Sequence, residues 1–119
     1  MDGDVDRAER RTRPSWHRDG LRALTAVDRV VHEPARLLIL ALLYPLEMAD
    51  FTFLLRETGL TRGNLSAHLS RLEEAGYVRV EKGYRGKIPQ TTYSLTDEGR
   101  AALREYRERL KRAVDSLPE

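Results

Sequence analysis

The stretch from Leu60 to Gly76 constrains the fold more than any other part of the chain. Leu65, Leu69 and Leu72 have the i, i+4, i+7 spacing that places side chains on one helical face, so this face is suited to burial. The opposite face carries short side chains and guanidinium groups: Arg62, Asn64, Ser66, Ala67, Ser70 and Arg71. Such a face suits the floor of a DNA major groove, which admits an α-helix. We therefore predict a recognition helix here.

Composition limits the chain to one modest domain without thiol chemistry. The 119 residues can form a single core. The lack of cysteine excludes disulfides and thiolate metal sites, and it agrees with a reducing cytoplasm. The longest apolar run, Leu37–Tyr44, is short for a membrane span, and the N-terminal residues lack the apolar segment of a signal peptide. We expect a cytoplasmic, nucleoid-associated protein with no membrane partner.

The net charge of +2 is concentrated in the segment that begins with the predicted recognition helix. Residues 61–96 carry six basic and three acidic side chains, whereas the two signs nearly cancel elsewhere. Attraction of nucleic-acid phosphates requires local positive charge of this kind. An excess of this size is also compatible with random surface charge.

The sequence before the recognition helix predicts a tail and two helices. Residues 1–15 mix charges with few apolar side chains and are expected to be disordered, which leaves residues 16–119 as the single domain. Apolar residues recur every three or four positions over Asp19–His32, which predicts a first amphipathic helix. Pro34 then precedes a helix over Ala35–Leu43 that is apolar almost all round and is expected to be central to the core.

A helix-turn-helix arrangement is predicted from the next signals along the chain. Asp50 is a suitable N-cap for a short helix over Phe51–Thr58, and Gly59 follows where a left-handed residue commonly ends a helix. Thr61 is the next N-cap, and the recognition helix then runs to Ala75. Two helices joined by a short turn around a glycine define this arrangement.

After Gly76 the apolar period changes to that of strands. Tyr77–Glu81 alternates and Thr91–Leu95 is rich in β-formers, so both are predicted to be short strands. The intervening segment, Lys82–Gln90, is predicted to be a loop with two glycines. Its three cations are Lys82, Arg85 and Lys87. The sequence therefore predicts a hairpin with a basic tip.

Two runs of residues are specific enough to indicate a family: Gly63-Asn-Leu-Ser-Ala-His-Leu69 and Gly86-Lys-Ile-Pro-Gln-Thr-Thr-Tyr93. Together with the element order they resemble the winged helix-turn-helix regulators of bacteria and archaea, which include MarR-type and ArsR-type repressors. The small stand-alone winged-helix DNA-binding proteins are the most similar group. The resemblance implies a mainly α fold with a small β-hairpin wing (α+β), in which N- and C-terminal dimerisation helices join a three-helix core. It also implies a homodimer on a pseudo-palindromic double-stranded DNA operator.

The polar pattern suggests which side chains contact DNA. Arg62 is expected on guanine and Asn64 on adenine, although Asn64 could instead bond the local backbone. Ser66, Ser70 and Arg71 are expected on phosphates, with plain solvation as the alternative for the serines. The full recognition-helix set is Thr61, Arg62, Asn64, Ser66, Ala67, Ser70 and Arg71. The wing set, Lys82, Arg85 and Lys87, is expected on phosphates or in a narrow minor groove.

The first and last predicted helices carry apolar stripes larger than a three-helix core needs. Thr96 is the expected N-cap of the last helix. The two stripes could pair across a two-fold axis or pack on each other within one chain. The expected dimer-interface residues are Leu21, Leu24, Val27, Leu103, Tyr106, Leu110 and Val114.

No catalytic or metal-binding constellation is visible in the sequence. The three histidines, His17, His32 and His68, are dispersed, and His68 beside the leucine stripe is predicted to be half-buried and structural. We expect no cofactor, no metal and no enzymatic activity, and we leave open an unidentified small-molecule effector. The alternative function is a winged-helix protein–protein interaction module without DNA binding. The cations on the helix and wing argue against it.

Overall fold

The structure, a computed structural model, describes residues 18–118. Its helices are α1 (Arg18–Arg22), α2 (Pro34–Leu43), α3 (Phe51–Thr58), α4 (Arg62–Glu74) and α5 (Asp97–Asp115). Its strands are β1 (Ala49–Asp50), β2 (Val78–Arg85) and β3 (Ile88–Leu95). This order confirms the predicted α+β winged-helix class. The predicted disordered tail, residues 1–15, lies outside the described residues.

The described chain forms two compact units. The larger, residues 28–106, contains α2 to α4, the sheet and the first half of α5. The smaller contains residues 18–27 and the chain from Arg107 onward.

Acidic and hydroxyl side chains fix where the helices of the larger unit begin. Asp50 accepts the Phe53 N–H at 2.7 Å and Thr61 accepts the Asn64 N–H at 3.1 Å, so both predicted caps are confirmed. Thr96 likewise accepts the Gly99 N–H at 3.0 Å. Glu33, which we did not predict, caps α2 through the N–H groups of residues 35 and 36. Local signals therefore position α4, the predicted recognition helix.

The core of the larger unit lies among α2, α3, α4 and the sheet. The fully buried leucine and isoleucine side chains are Ile39, Leu40, Leu43, Leu54, Leu65 and Leu72. Leu69 is also buried, so the predicted stripe of α4 is confirmed. The prediction that α2 lies at the core holds for one face only, because Leu38 is exposed on its surface.

The wing is longer than predicted. Strands β2 and β3 pair antiparallel from Val78↔Leu95 to Arg85↔Ile88, so the predicted loop over Lys82–Gln90 is wrong. Only residues 86 and 87 form the turn, and Gly86 has φ +65°, which suits a two-residue hairpin turn. Cross-strand pairing imposes an extended conformation on residues whose own β-propensity is weak. The short strand β1, also not predicted, pairs with the other edge of β3.

The predicted helix over Asp19–His32 is wrong beyond its first turn. Helix α1 ends at Arg22, a 3-10 turn covers Ala23–Ala26, and Val27 is extended with ψ 150°. The Asp28 carboxylate then accepts the N–H groups of residues 30 and 31 at 2.8 and 3.3 Å. This local side-chain bonding competes with helix formation. The β-branched residues of the segment also have a low helix propensity.

The last helix begins at the predicted cap, but its buried side differs from the predicted stripe. Tyr106 is buried within the chain, together with Ala113 and Ser116, whereas Val114 is 54% exposed. Near the start of α5, Gly99 allows the helix to lie close to the backbone of Tyr77, because a Cβ at this position would meet the Tyr77 backbone oxygen.

Candidate nucleic-acid interface

Helix α4 presents its predicted polar face to solvent. All of the expected contact residues are exposed: Thr61, Arg62, Asn64, Ser66, Ala67, Ser70 and Arg71. The leucines on the other side are buried. The helix therefore offers a continuous surface of small polar groups and guanidiniums that is backed by a rigid core.

Arg62 lies at the start of α4, against the start of α3. Its guanidinium lies 5.8 Å from the centroid of the Phe51 ring, within the range of a cation–π interaction. The Phe51 ring in turn packs 6.4 Å from the ring of Tyr93 on β3. Aromatic packing therefore restrains Arg62 between the helix-turn-helix and the sheet, a contact that sequence periodicity did not indicate.

Asn64 takes part in the capping of α4 only through its backbone N–H. The hydroxyl of Thr61 accepts its N–H, and its side-chain amide has no hydrogen-bond partner among residues 18–118. The alternative in which the Asn64 side chain bonds the local backbone is therefore not what the structure shows. The amide is available to a ligand.

His68 links α4 to the start of α2 and is half-buried, as predicted. Its Nδ1 lies 3.3 Å from Nη1 of Arg36 and 3.6 Å from a carboxylate oxygen of Glu33. Arg36 also donates from Nε to the Val30 carbonyl at 2.6 Å. Burial alone would raise the pKa of Glu33, but the N–H groups of residues 36 and 35 and the nearby charges of His68 and Arg36 lower it below its usual value.

The wing cations Lys82, Arg85 and Lys87 are all exposed, but they do not share one face. Side chains alternate across a strand, so Lys82 and Arg85 point to opposite sides of the hairpin, while Lys87 lies in its turn. Two apolar side chains flank the turn as well, since Tyr84 is 74% and Ile88 69% exposed. Our sequence reasoning missed both because it treated this segment as a loop.

A cleft of about 500 Å³ separates the wing from the starts of α3 and α4. Its lining residues are Asp50, Phe51, Thr52, Arg62, Arg85, Ile88, Pro89, Gln90 and Thr91. A second cleft of about 250 Å³ lies between the middle of α4 and the sheet, and it contains Ser66, Ser70, Lys82 and the acidic Glu73. The structure thus brings predicted helix and wing residues together at both clefts.

The expected dimer-interface residues differ in exposure. Leu24 and Val114 are exposed, and Leu21, Leu103 and Leu110 are half-buried. Val27 and Tyr106 are buried within the chain, and the Tyr106 hydroxyl is hydrogen-bonded to Nδ1 of His32 at 2.9 Å. These last two residues therefore have little surface left for a partner.

Residues 18–118 contain neither a candidate metal site nor a candidate membrane span. No cluster of three or more His, Asp or Glu side chains with metal-binding geometry occurs in this part of the chain. None of its helices has the length and apolar character needed to cross a membrane.

Comparison with known proteins agrees with this geometry. An uncharacterized protein of Methanocaldococcus jannaschii is 39% identical over 79 residues, which cover 66% of this chain and 85% of that protein. The structure of a transcriptional regulator homologue from Pyrococcus horikoshii superposes with a TM-score of 0.70 at 31% identity, covering 74% of this chain and 87% of that one. A MarR-family regulator from Silicibacter pomeroyi shares the fold, with a TM-score of 0.58, 24% identity, and coverage of 82% and 63%.

The winged helix DNA-binding domain family matches residues 35–114, which include all of α2 except its first residue, α3, α4, the wing and most of α5. That range takes in both of the sequence runs on which the resemblance rested. The chain belongs to the winged helix DNA-binding domain family.

Proposed function

We propose that this winged-helix regulator binds double-stranded DNA sequence-specifically as a homodimer. In this proposal α4 enters the major groove, and the wing lies on the flanking backbone or in the minor groove. The observation that carries it is the exposed face of α4, which has small polar groups, two arginines and no acid before Glu73. That face adjoins a cleft that also contains the wing cation Arg85.

The exposed groups of α4 divide by chemistry. Asn64 is proposed to contact a base edge, because its side-chain amide can pair with adenine and is not engaged by another described residue. Ala67 and Ser66 are small enough to let the helix approach the bases. Ser70, Arg71 and the start of the helix at Thr61 are proposed to contact phosphates.

Homodimerisation is proposed to involve the smaller unit. Leu24, Val114 and Leu117 are large apolar residues of this unit that are exposed in the single chain. Covering them with a second copy would remove apolar surface from water, which favours association. Sedimentation of the intact chain tests this step, because the proposal requires a dimer that Val114→Asp weakens.

The experiment for sequence specificity is selection from a library of random DNA duplexes. A homodimer with one recognition helix per half-site should enrich an inverted repeat whose halves lie about one helical turn apart, roughly 10 base pairs. Arg104→Ala is a matched control, because it removes an exposed arginine of the C-terminal helix that lies outside α4, the wing and the smaller unit. Failure to enrich any sequence would contradict sequence-specific binding.

Two further expectations concern the location and the regulation of the protein. Action on DNA would place the protein at the nucleoid in the cytoplasm. A small-molecule effector stays a prediction without an assigned site.

The alternative function is an interaction module that binds a protein and not DNA. A stoichiometric protein partner that survives nuclease treatment and docks on α4 would favour this alternative.

A further inference from the structure

Two arginines from different elements line the cleft between the wing and the helix-turn-helix. Arg62 begins α4 and is restrained over the Phe51 ring, while Arg85 ends β2 at the tip of the hairpin. Arg62 comes from an element proposed for the major groove and Arg85 from one proposed for the flanking backbone. The cleft therefore lies where a DNA strand would pass from one element to the other.

The acid in this cleft does not cancel both guanidiniums. Asp50 is the carboxylate among the lining residues, and both of its oxygens have partners. One accepts the Phe53 N–H at 2.7 Å and the other accepts Nε2 of Gln90 at 3.0 Å. Two cations against one engaged carboxylate leave an excess of positive charge, which suits a single phosphodiester.

The same cleft has an apolar side. Ile88 is 69% exposed although it is a large apolar residue, and Pro89 lies next to it on β3. A DNA strand alternates an anionic phosphate with a deoxyribose whose carbon edge is largely apolar. A cleft that combines guanidinium groups with an exposed isoleucine matches that alternation better than it matches a uniformly charged ligand.

We propose that this cleft holds one strand of the bound DNA, with a phosphate between Arg62 and Arg85 and the adjoining deoxyribose against Ile88. This assignment rests on the proposed function and changes one part of the sequence-based expectation. Arg62, which we expected on a guanine, instead contacts the backbone. It positions the duplex and carries no sequence information.

The test is the salt dependence of binding to a duplex of scrambled sequence, where backbone contacts dominate. Each phosphate contact that is lost should reduce the slope of log K against log salt by about 1. We expect this reduction for Arg62→Ala and for Arg85→Ala, and no change for the control Arg104→Ala. Arg62→Lys should retain the slope because it keeps the charge, whereas bidentate contact with guanine would not tolerate lysine in the same way.

Ile88→Thr tests the apolar half of the proposal and keeps a β-branched side chain in the strand. It should weaken binding by about tenfold at every salt concentration without changing the slope, because no charge is removed. Met48→Thr is the matched control, since Met48 is a similarly exposed apolar residue that does not line the cleft. Circular dichroism of each variant establishes that it is folded.

The outcomes separate this inference from the proposed function. If the wild-type chain bound neither a selected nor a scrambled duplex, the proposed function and the strand assignment would both be overturned. If it bound DNA while Arg62→Ala kept the full salt slope and lost preference at one guanine, only the strand assignment would be overturned. Saturable binding of inorganic phosphate without DNA, abolished by Arg62→Ala, would assign the cleft to a small anion and would also overturn it.

Discussion

The side chain of Gln90, on the wing, donates a hydrogen bond of 3.0 Å to the carboxylate of Asp50. The other oxygen of that carboxylate accepts the Phe53 N–H and caps α3. One carboxylate thus begins the first helix of the helix-turn-helix and also holds the wing strand. Backbone pairing of β1 with β3 supports the same junction through Asp50 and Thr92. The orientation of the wing is therefore coupled to the start of α3.

Asp50→Ala should lower the free energy of unfolding more than Gln90→Ala. The first change removes an N-cap, which typically costs about 1–2 kcal/mol, together with the bond to the wing. The second removes only a partly exposed hydrogen bond, worth about 0.5–1 kcal/mol. Urea denaturation of both variants measures the difference. Equal losses would show that the cap contributes little.

Gly99→Ala should destabilise the chain, whereas Gly63→Ala should not. A Cβ at Gly99 would meet the Tyr77 backbone oxygen, so the helix or the turn must shift, at a cost of about 1–3 kcal/mol. Gly63 has open space around it on α4, and alanine is favoured there by up to about 1 kcal/mol. Thermal unfolding of the pair checks the opposite signs. A stabilising Gly99→Ala would contradict the close approach seen here.

Tyr77 should ionise later than an ordinary tyrosine as the pH is raised. Its hydroxyl donates a hydrogen bond to Asp28, and this bond, with desolvation and the charges of Asp28 and Glu105, raises its pKa to about 12 from the usual 10.0. A raised pKa means that the stabilisation is complete below pH 10 and is lost as the pH passes about 12. Absorbance titration should show a late tyrosine that Tyr77→Phe removes. A titration curve whose latest part is unchanged by the substitution would refute the assignment.

Glu33 should contribute stability at neutral pH that is lost in acid. Desolvation acts to raise its pKa, but the N–H groups of Arg36 and Ala35 and the charges of His68 and Arg36 outweigh it, so the pKa lies below the usual 4.5. A lowered pKa stabilises the folded state above that usual value, and the effect disappears as the pH falls through the folded-state pKa. Urea midpoints measured from pH 7 downward should therefore fall less steeply for Glu33→Gln than for the wild type. Parallel curves would show that Glu33 is not a charged cap.

The parts that sequence predicted well are those fixed by local signals. The α4 stripe and the caps at Asp50 and Thr61 depend on residues a few positions apart, so spacing alone locates them. The prediction of a helix over Asp19–His32 was wrong because the Asp28 carboxylate bonds the local backbone. It also accepts a hydrogen bond from Tyr77, which lies 49 residues further along the chain. Propensity cannot register a partner at that distance.

In the candidate site, too, the sequence predicted the features that depend on local spacing and missed those that depend on distant contacts. The exposed cations and polar groups of α4 were identified from periodicity, because burial on one face implies exposure on the other. The restraint of Arg62 by Phe51 and its convergence with Arg85 in one cleft depend on how the wing folds against the helices. That arrangement follows from the long hairpin of β2 and β3 and from the long-range pairing of β1 with β3, neither of which the wing segment's own composition indicated.

The most direct test of the central claim is the affinity of the wild-type chain for a selected duplex and for its scrambled counterpart, measured over a range of salt concentrations. The account predicts that both affinities fall steeply with salt, because phosphate contacts release counterions. It also predicts that the selected duplex binds more tightly throughout, by about 10³-fold or more. Coincident curves would contradict sequence-specific binding, and affinities independent of salt would contradict binding through the cations of α4 and the wing.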